Sequence, residues 1–226
     1  MQRIFDILLS GLALLFLSPV LLVIIMILRV TGEGEIFFLQ SRIGKHSQSF
    51  NVIKFATMLK NSPNTGTKTI TLAKDPRILP FGKILRKTKI NELPQLINVL
   101  KGDMSLIGPR PLTVDNFLAY KKDVQNTITG VRPGVSGVAS VIFRDEEKLL
   151  TEMEHAINTY QVSIAPYKGD LELWYVENNS LSLYFKLIFV TVHAVLVPSS
   201  RIVWRILPSL PKPPKDLHDK FLHPNP

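Results

Sequence analysis

The stretch Arg86–Pro111, RKTKINELPQLINVLKGDMSLIGPRP, packs cations, the carboxylate of Glu92, a short apolar helix and a Pro-Arg-Pro turn into a single unit. Upstream, Leu79–Lys89 places Lys83, Arg86 and Lys87 at i, i+3 and i+4, one face of an amphipathic helix. A second helix is expected from about Glu92 to Leu100, closed by Gly102 as a left-handed C-terminal cap. Asn91 is a good helix N-cap residue. Glu92 at a helix start and Arg110 between two rigid prolines suit phosphate recognition, because helix N-termini favour anions and a guanidinium binds phosphate bidentately. A solvated basic stripe and an Arg110–Asp103 turn pair are the structural alternatives.

Working outward, Glu35–Gln40 and Phe50–Phe55 read as short strands around a turn at residues 44–47. Residues 61–68, with Pro63, Asn64 and Gly66, read as a loop. Leu112–Lys122 and Glu146–Tyr160 read as helices, the second after the turn-rich segment Gly130–Gly137. Leu181–Val197 is apolar nearly all round. It is either a core helix or an interfacial one, since Arg201, Trp204 and Arg205 follow beside Ile202, Ile206 and Leu207. From Pro198 the prolines predict an extended tail without a core of its own.

Ile7–Leu28 holds no charged side chain, and about 22 residues at 1.5 Å each match a hydrocarbon layer about 30 Å thick. No small-residue cleavage pattern follows at Arg29–Gly32, which argues against a secretory signal. Ser18-Pro19 interrupts the segment. Proline removes a backbone donor, and a Ser hydroxyl beside it can satisfy the freed carbonyl. Two geometries follow: a kinked spanning helix, or two short halves that enter and leave one membrane face.

The 226 residues carry a formal charge of +9, so the partners are anionic: nucleic acid, acidic lipid or phosphorylated substrate. Cysteine is absent, which excludes disulfides, thiolate metal sites and cysteine nucleophiles. There is no P-loop, no G-x-G-x-x-G after a strand and no H-E-x-x-H, and Glu152, Glu154 and His155 read as a solvated helix face. The basic cluster Lys83–Lys89 has no interleaved aromatics, so nucleic acid is not expected as a partner.

Further motifs extend the pattern: Phe38, Gln40, Arg42 and Gly44; Lys54-Phe55 with Met58; Asp75-Pro76-Arg77; Glu92-Leu93-Pro94-Gln95; Lys101-Gly102-Asp103; Gly108-Pro109-Arg110-Pro111; Arg132–Gly137; and Tyr175, Asn178 and Ser180. Together they resemble the bacterial sugar transferase family, small monotopic phosphoglycosyl transferases. The resemblance implies transfer of a sugar phosphate from a UDP-sugar to polyprenol (undecaprenyl) phosphate with release of UMP. That is the first membrane step of exopolysaccharide, capsule, O-antigen or glycoprotein glycan assembly. It also implies a covalent phosphosugar intermediate on a catalytic Asp, Mg²⁺ as cofactor, and a re-entrant N-terminal helix in the bacterial inner membrane with the catalytic domain facing the cytoplasm.

The expected architecture is therefore α/β mixed and mostly helical: a membrane re-entrant helix at 1–30 with Ser18 and Pro19 at its break, a catalytic domain with a small sheet at 31–197, and a Pro-rich basic interfacial tail at 198–226. UDP-sugar, polyprenol phosphate and membrane lipids are the expected partners, and a homodimer is compatible with them. Glu92 is expected to be catalytic, as nucleophile or acid/base, with Asn91 at the nucleophile position and a weak Mg²⁺ ligand. Arg86, Lys87, Gln95, Asp103, Pro109, Arg110 and Pro111 are the expected substrate-binding residues. Asn91 departs from the family's Asp-Glu pair, Ala56 stands where Arg is usual, and Glu172 where Asp is usual. Three accounts of Asn91 follow: Glu92 takes over, the chain is an impaired family member that binds polyprenol phosphate or partner glycosyltransferases, or deamidation restores Asp.

Overall fold

A computed structural model of the chain describes residues 1–62, 75–151, 156–197, 200–215 and 217. Helix α1 (Gln2–Val30) runs unbroken through Pro19. The carbonyl that Pro19 leaves without its helical partner belongs to Leu15, and the Ser18 hydroxyl donates to it at 2.7 Å. The Ser-Pro pair thus works as its chemistry predicts.

Only the two ends of α1 touch the rest of the protein. At the N-terminal end, Gln2 donates to the Ser105 hydroxyl (3.0 Å) and the Ile107 carbonyl (3.2 Å), and Arg3 donates to the carbonyls of Val99 and Leu100. Buried Asp6 accepts from the Ser105 hydroxyl (2.9 Å), the Leu106 amide (3.0 Å) and the Tyr184 hydroxyl (2.9 Å). At the other end, Ile24 and Leu28 pack against Phe55 and Leu85. Between them, residues 11–23 contain no buried side chain, and Leu15 and Phe16 are 67% and 77% exposed. By length and composition α1 can cross a membrane. Its apolar middle faces outward, unlike a soluble core helix.

Strands β1 (Phe37–Ile43) and β2 (Ser49–Phe55) form an antiparallel hairpin with Phe38 opposite Lys54. Helix α2 (Pro80–Lys87) follows. A 3-10 turn (Ile90–Glu92) leads into α3 (Gln95–Lys101), which stops at Gly102 with φ 97°. The helix expected from Glu92 therefore begins three residues later. Asn91 lies inside the turn rather than capping α3, whose N-cap is Pro94.

Strand β3 (Ser105–Ile107) pairs in parallel with β4 (Gly134–Ser136). A Cβ at Gly108 would meet the Arg132 carbonyl at 2.5 Å and the Gly134 amide at 2.9 Å, so close backbone approach requires glycine there. The helix expected over 112–122 is instead two elements, α4 (Val114–Leu118) and α5 (Lys122–Ile128). Helices α6 (Val138–Ile142), α7 (Glu146–Thr151) and α8 (Ala156–Thr159) then lead through a π-helical turn (Tyr160–Ile164) into α9 (Ala165–Glu177). Glu152, Glu154, His155 and most of the expected loop at 61–68 lie outside the described residues.

Helix α10 (Leu181–Leu196) is capped by Ser180, whose hydroxyl accepts from the Leu183 amide at 3.2 Å. The core reading of its sequence holds for one face. Leu183, Tyr184, Leu187, Val190 and Ala194 are buried, while Phe185, Phe189, Val192 and Val195 are exposed beside the N-terminal end of α1, where Phe5 packs edge-on against Phe185 at 5.0 Å.

The main core joins α5, α6, α9 and α10 through Val124, Val138, Leu171, Tyr175 and Leu187. The tail also belongs to it. After α11 (Ile202–Ile206), the chain keeps Leu207, Leu210 and Leu217 buried in this cluster, and Pro211 accepts from the Tyr167 hydroxyl at 2.8 Å. The expected tail thus holds a short helix, and its described leucines anchor it in the domain core.

Candidate active site

Glu92 is held where the hairpin, the 3-10 turn and the Pro-Arg-Pro turn meet. Its Oε1 accepts from Lys54 Nζ and from the Arg110 guanidinium, each at 3.0 Å. Lys54 comes from β2. The register puts it on the sheet face of Phe38, Gln40 and Arg42, because residues paired across a hairpin point to the same side. The residue before the 3-10 turn, Lys89, sits in the left-handed region at φ 61°, an uncommon conformation for a non-glycine residue.

The Pro109-Arg110-Pro111 turn is clamped from three elements. The Gly134 amide donates to the Pro109 carbonyl at 2.8 Å. Arg42 donates to the Pro111 carbonyl at 3.2 Å and also bonds the Gln40 side chain. From α9, Glu172 Oε1 accepts from the Arg110 amide at 3.0 Å. A rigid turn gripped this way fixes where the guanidinium can point.

Gln40, Arg42, Lys54, Glu92 and Arg110 line an open cavity of about 510 Å³, together with Arg86, Lys89, Asn91 and Asn116. Electrostatics within it are lopsided. Burial by itself would raise the Glu92 carboxyl pKa, but Arg110 and Lys54 outweigh it and hold the group well below the usual carboxylate range. Burial, with Arg110 and Arg42 nearby, pushes the Lys54 ammonium down to about 8 despite Glu92. Burial and the Arg110 charge likewise bring Arg42 to about 10. Glu92 raises the pKa of Arg110. Seven lysine and arginine side chains line the cavity against three carboxylates, Glu35, Glu92 and Glu146. The cavity is built to take an anion.

Asn91 is buried, lines the same cavity and leaves its Oδ1 without a hydrogen-bond partner. That oxygen and Glu92 are the protein atoms that suit a hard cation. Among the described residues no group of three or more His, Cys, Asp or Glu side chains is placed to hold a metal. The donor set therefore fits Mg²⁺ only in the common arrangement where substrate phosphates complete the coordination.

The structure brings together Glu92, Asn91, Arg86 and Arg110, with Pro109 and Pro111 flanking the last. It does not bring Lys87, Gln95 or Asp103 to the cavity. Lys87 is exposed at the end of α2, Gln95 is buried at the start of α3, and Asp103 accepts from the Asn98 side chain at 3.1 Å. Asn98 in turn bonds the backbone of Asn51 and Ile53, which fixes β2 against α3. Arg110 pairs with Glu92, not Asp103. The favourable field at Glu92 comes from these side chains rather than from a helix N-terminus. Sequence reasoning assigned no site role to Lys54, Arg42, Lys89, Tyr160, Glu146 or Lys168, all of which line the cavity. The alternation of Phe38, Gln40 and Arg42 in β1 is the sequence signal for Arg42.

The description "Bacterial sugar transferase" matches residues 1–198. The chain is 35% identical over 197 residues to an uncharacterized sugar transferase, EpsL, of Bacillus subtilis (strain 168), covering 87% of this chain and 88% of that protein. It is 33% identical over 200 residues to the UDP-N-acetylgalactosamine-undecaprenyl-phosphate N-acetylgalactosaminephosphotransferase of Aeromonas hydrophila, covering 86% of this chain and 43% of that protein. It is also 35% identical over 195 residues to the UDP-glucose:undecaprenyl-phosphate glucose-1-phosphate transferase of Klebsiella pneumoniae, covering 84% of this chain and 39% of that protein. The chain thus spans less than half the length of these last two relatives.

Proposed function

The chain belongs to the bacterial sugar transferase family, and on that premise we propose that it moves a sugar phosphate from a UDP-sugar to a polyprenol phosphate and releases UMP. The observation that carries this reading is the cavity in which cationic side chains outnumber carboxylates, with Lys54 and Arg110 both held on Glu92. Lys54, Arg110 and Arg42 are aimed where a diphosphate would rest, and phosphoryl transfer depends mainly on positioning and charge dispersal.

Asn91 has no anionic oxygen with which to attack phosphorus. Glu92 is too acidic to act as a base near neutrality, and its Oε1 already carries two cations. Its part is to hold Lys54 and Arg110 in place. An oxygen of the polyprenol phosphate then attacks the sugar-bearing phosphorus directly. The new P–O bond forms as the bond from that phosphorus to the bridging oxygen breaks, and UMP leaves with the electron pair. No proton has to be taken from the attacking group. Asn91 Oδ1 is the protein atom that would hold Mg²⁺, which when bound disperses charge on the diphosphate.

For the membrane, the reading is a re-entrant α1 in the bacterial inner membrane with the domain on the cytoplasmic side, where UDP-sugars are available. Support comes from both ends of α1 gripping one domain while its apolar middle stays outside. The chain lacks cysteine, so single cysteines replacing the exposed Ile4 and Val30 can be labelled selectively. Both should react with an impermeant maleimide from the cytoplasmic side, and labelling from opposite sides would exclude re-entry. Cross-linking in native membranes reads the homodimer.

The transferase reading is tested by incubating membranes with UDP-sugars and polyprenol phosphate, with the mass at residue 91 confirming Asn. UMP should appear only when both substrates are present. No UMP with any donor overturns the transferase, and stoichiometric UMP from donor alone overturns direct transfer.

A further inference from the structure

Beyond the cations, the cavity has a second charged wall that phosphate chemistry does not use. Lys168 of α9 is 5% exposed, and both its hydrogen bonds go to Glu146 of α7, at 2.8 Å and 3.0 Å. Its ammonium also lies 5.3 Å from the Phe143 ring centre and 5.7 Å from that of Tyr160. A pair this buried is weak evidence for stability, since apolar replacements of similar volume often do as well. Placed on a cavity wall, it is a candidate for recognition.

The burial shows which partner a ligand would meet. The Lys168 side chain is 6% exposed, enclosed by its partner and the two rings, whereas Glu146 is 26% exposed. The wall therefore shows the cavity carboxylate oxygens beside the Tyr160 ring. It lines the same cavity as Lys54 and Arg110.

We propose that Glu146, oriented by Lys168 and flanked by Tyr160, forms the donor-sugar subsite, and that it selects neutral pyranoses over uronates. This rests on the transferase reading. With the diphosphate on Lys54 and Arg110, the sugar extends toward Glu146, whose oxygens accept from ring hydroxyls while the Tyr160 ring covers an apolar face. A uronate carboxylate placed there meets a like charge and offers no proton. A polar pocket built to accept from hydroxyls discriminates strongly against a ligand that cannot donate.

The test is calorimetric titration of the full chain in lipid nanodiscs with UDP-glucose, UDP-glucuronate and UDP. The wild type should bind UDP-glucose at least about tenfold more tightly than UDP-glucuronate. Glu146→Gln should weaken UDP-glucose, narrow that ratio and leave UDP affinity unchanged. Glu146→Asp keeps the charge on a shorter arm and should fall between the two, which guards against a Gln variant that misfolds. Equal weakening of UDP and UDP-glucose would reduce Glu146 to a structural role, and no weakening of either would remove it from the site. If the wild type binds no UDP-sugar, the transferase reading fails and takes the subsite with it. If the wild type binds but the variants do not discriminate, only the subsite fails.

Discussion

Arg110 touches two glutamates, one half-buried and one fully buried, with different parts of itself, and they end in opposite states. Glu92 receives the guanidinium, with Lys54 on the same oxygen. Glu172 receives only the Arg110 backbone amide, and its Oε2 is buried without a partner. Burial pushes both carboxyls up. At Glu92 the two cations overturn that push, whereas at Glu172 the amide, Lys168 and Arg110 only moderate it, leaving a pKa of about 7. Burial does not decide a carboxyl's charge; full cationic partners do. One glutamate is a permanent anion that organises the catalytic cations, and the other is a proton-holding brace behind them.

The largest expected effect tests the first half of that contrast. Glu92→Gln removes the anion between Lys54 and Arg110, so the cations repel each other and lose their aim. Turnover should fall by at least about 100-fold, read as UMP release under saturating substrates. Wild-type turnover in this variant would end the organising role. Next comes Asn91→Asp, which places an anionic oxygen beside Glu92. If direct transfer operates in the present chain, this variant should gain a stoichiometric UMP burst from donor alone and a phosphosugar adduct in its intact mass. A wild-type chain that already forms the adduct would reverse the comparison.

A smaller effect concerns pH. The Lys54 pKa is lowered to about 8, so in the free enzyme its charge is present below that value and lost above it. kcat/KM for the donor should decline above about pH 8, approaching tenfold per unit. Lys54→Arg should flatten the decline, because a guanidinium stays protonated. An unchanged profile in that variant would assign the decline to another group.

The two glutamates also show what could be read from the sequence. Ser18-Pro19, the hairpin and the stop at Gly102 each follow from local rules, because a missing donor, a turn residue or a positive φ acts within a few positions. The partner of Glu92 does not. Lys54 reaches it only through hairpin register, a contact 38 residues away. Helix α9 was not anticipated for a related reason. Lys168 and Glu172 face inward alongside Tyr167, Leu171 and Tyr175, so its polar residues sit on the buried face and erase the amphipathic period. Those same residues brace Arg110 and Glu146. The site is least legible where its supporting charges are packed into the core.

The smallest effect on activity, and the sharpest test of the contrast, is Glu172→Gln. Burial pushes the native carboxyl up to about 7, against 4.5 for an ordinary glutamate. Below about 4.5 both folded and unfolded chains hold the proton. From there to about 7 only the folded chain does, so wild-type stability falls as pH rises, then levels off. Glutamine cannot titrate, yet its amide oxygen can still accept from the Arg110 backbone. The variant should therefore gain on the wild type across that window, by up to about 3 kcal/mol at pH 8, while turnover changes little. Thermal unfolding midpoints at pH 5 and pH 8 read this directly. A constant gap between the two proteins would mean that Glu172 is ionised throughout, and that a single backbone amide suffices to keep a buried carboxylate charged.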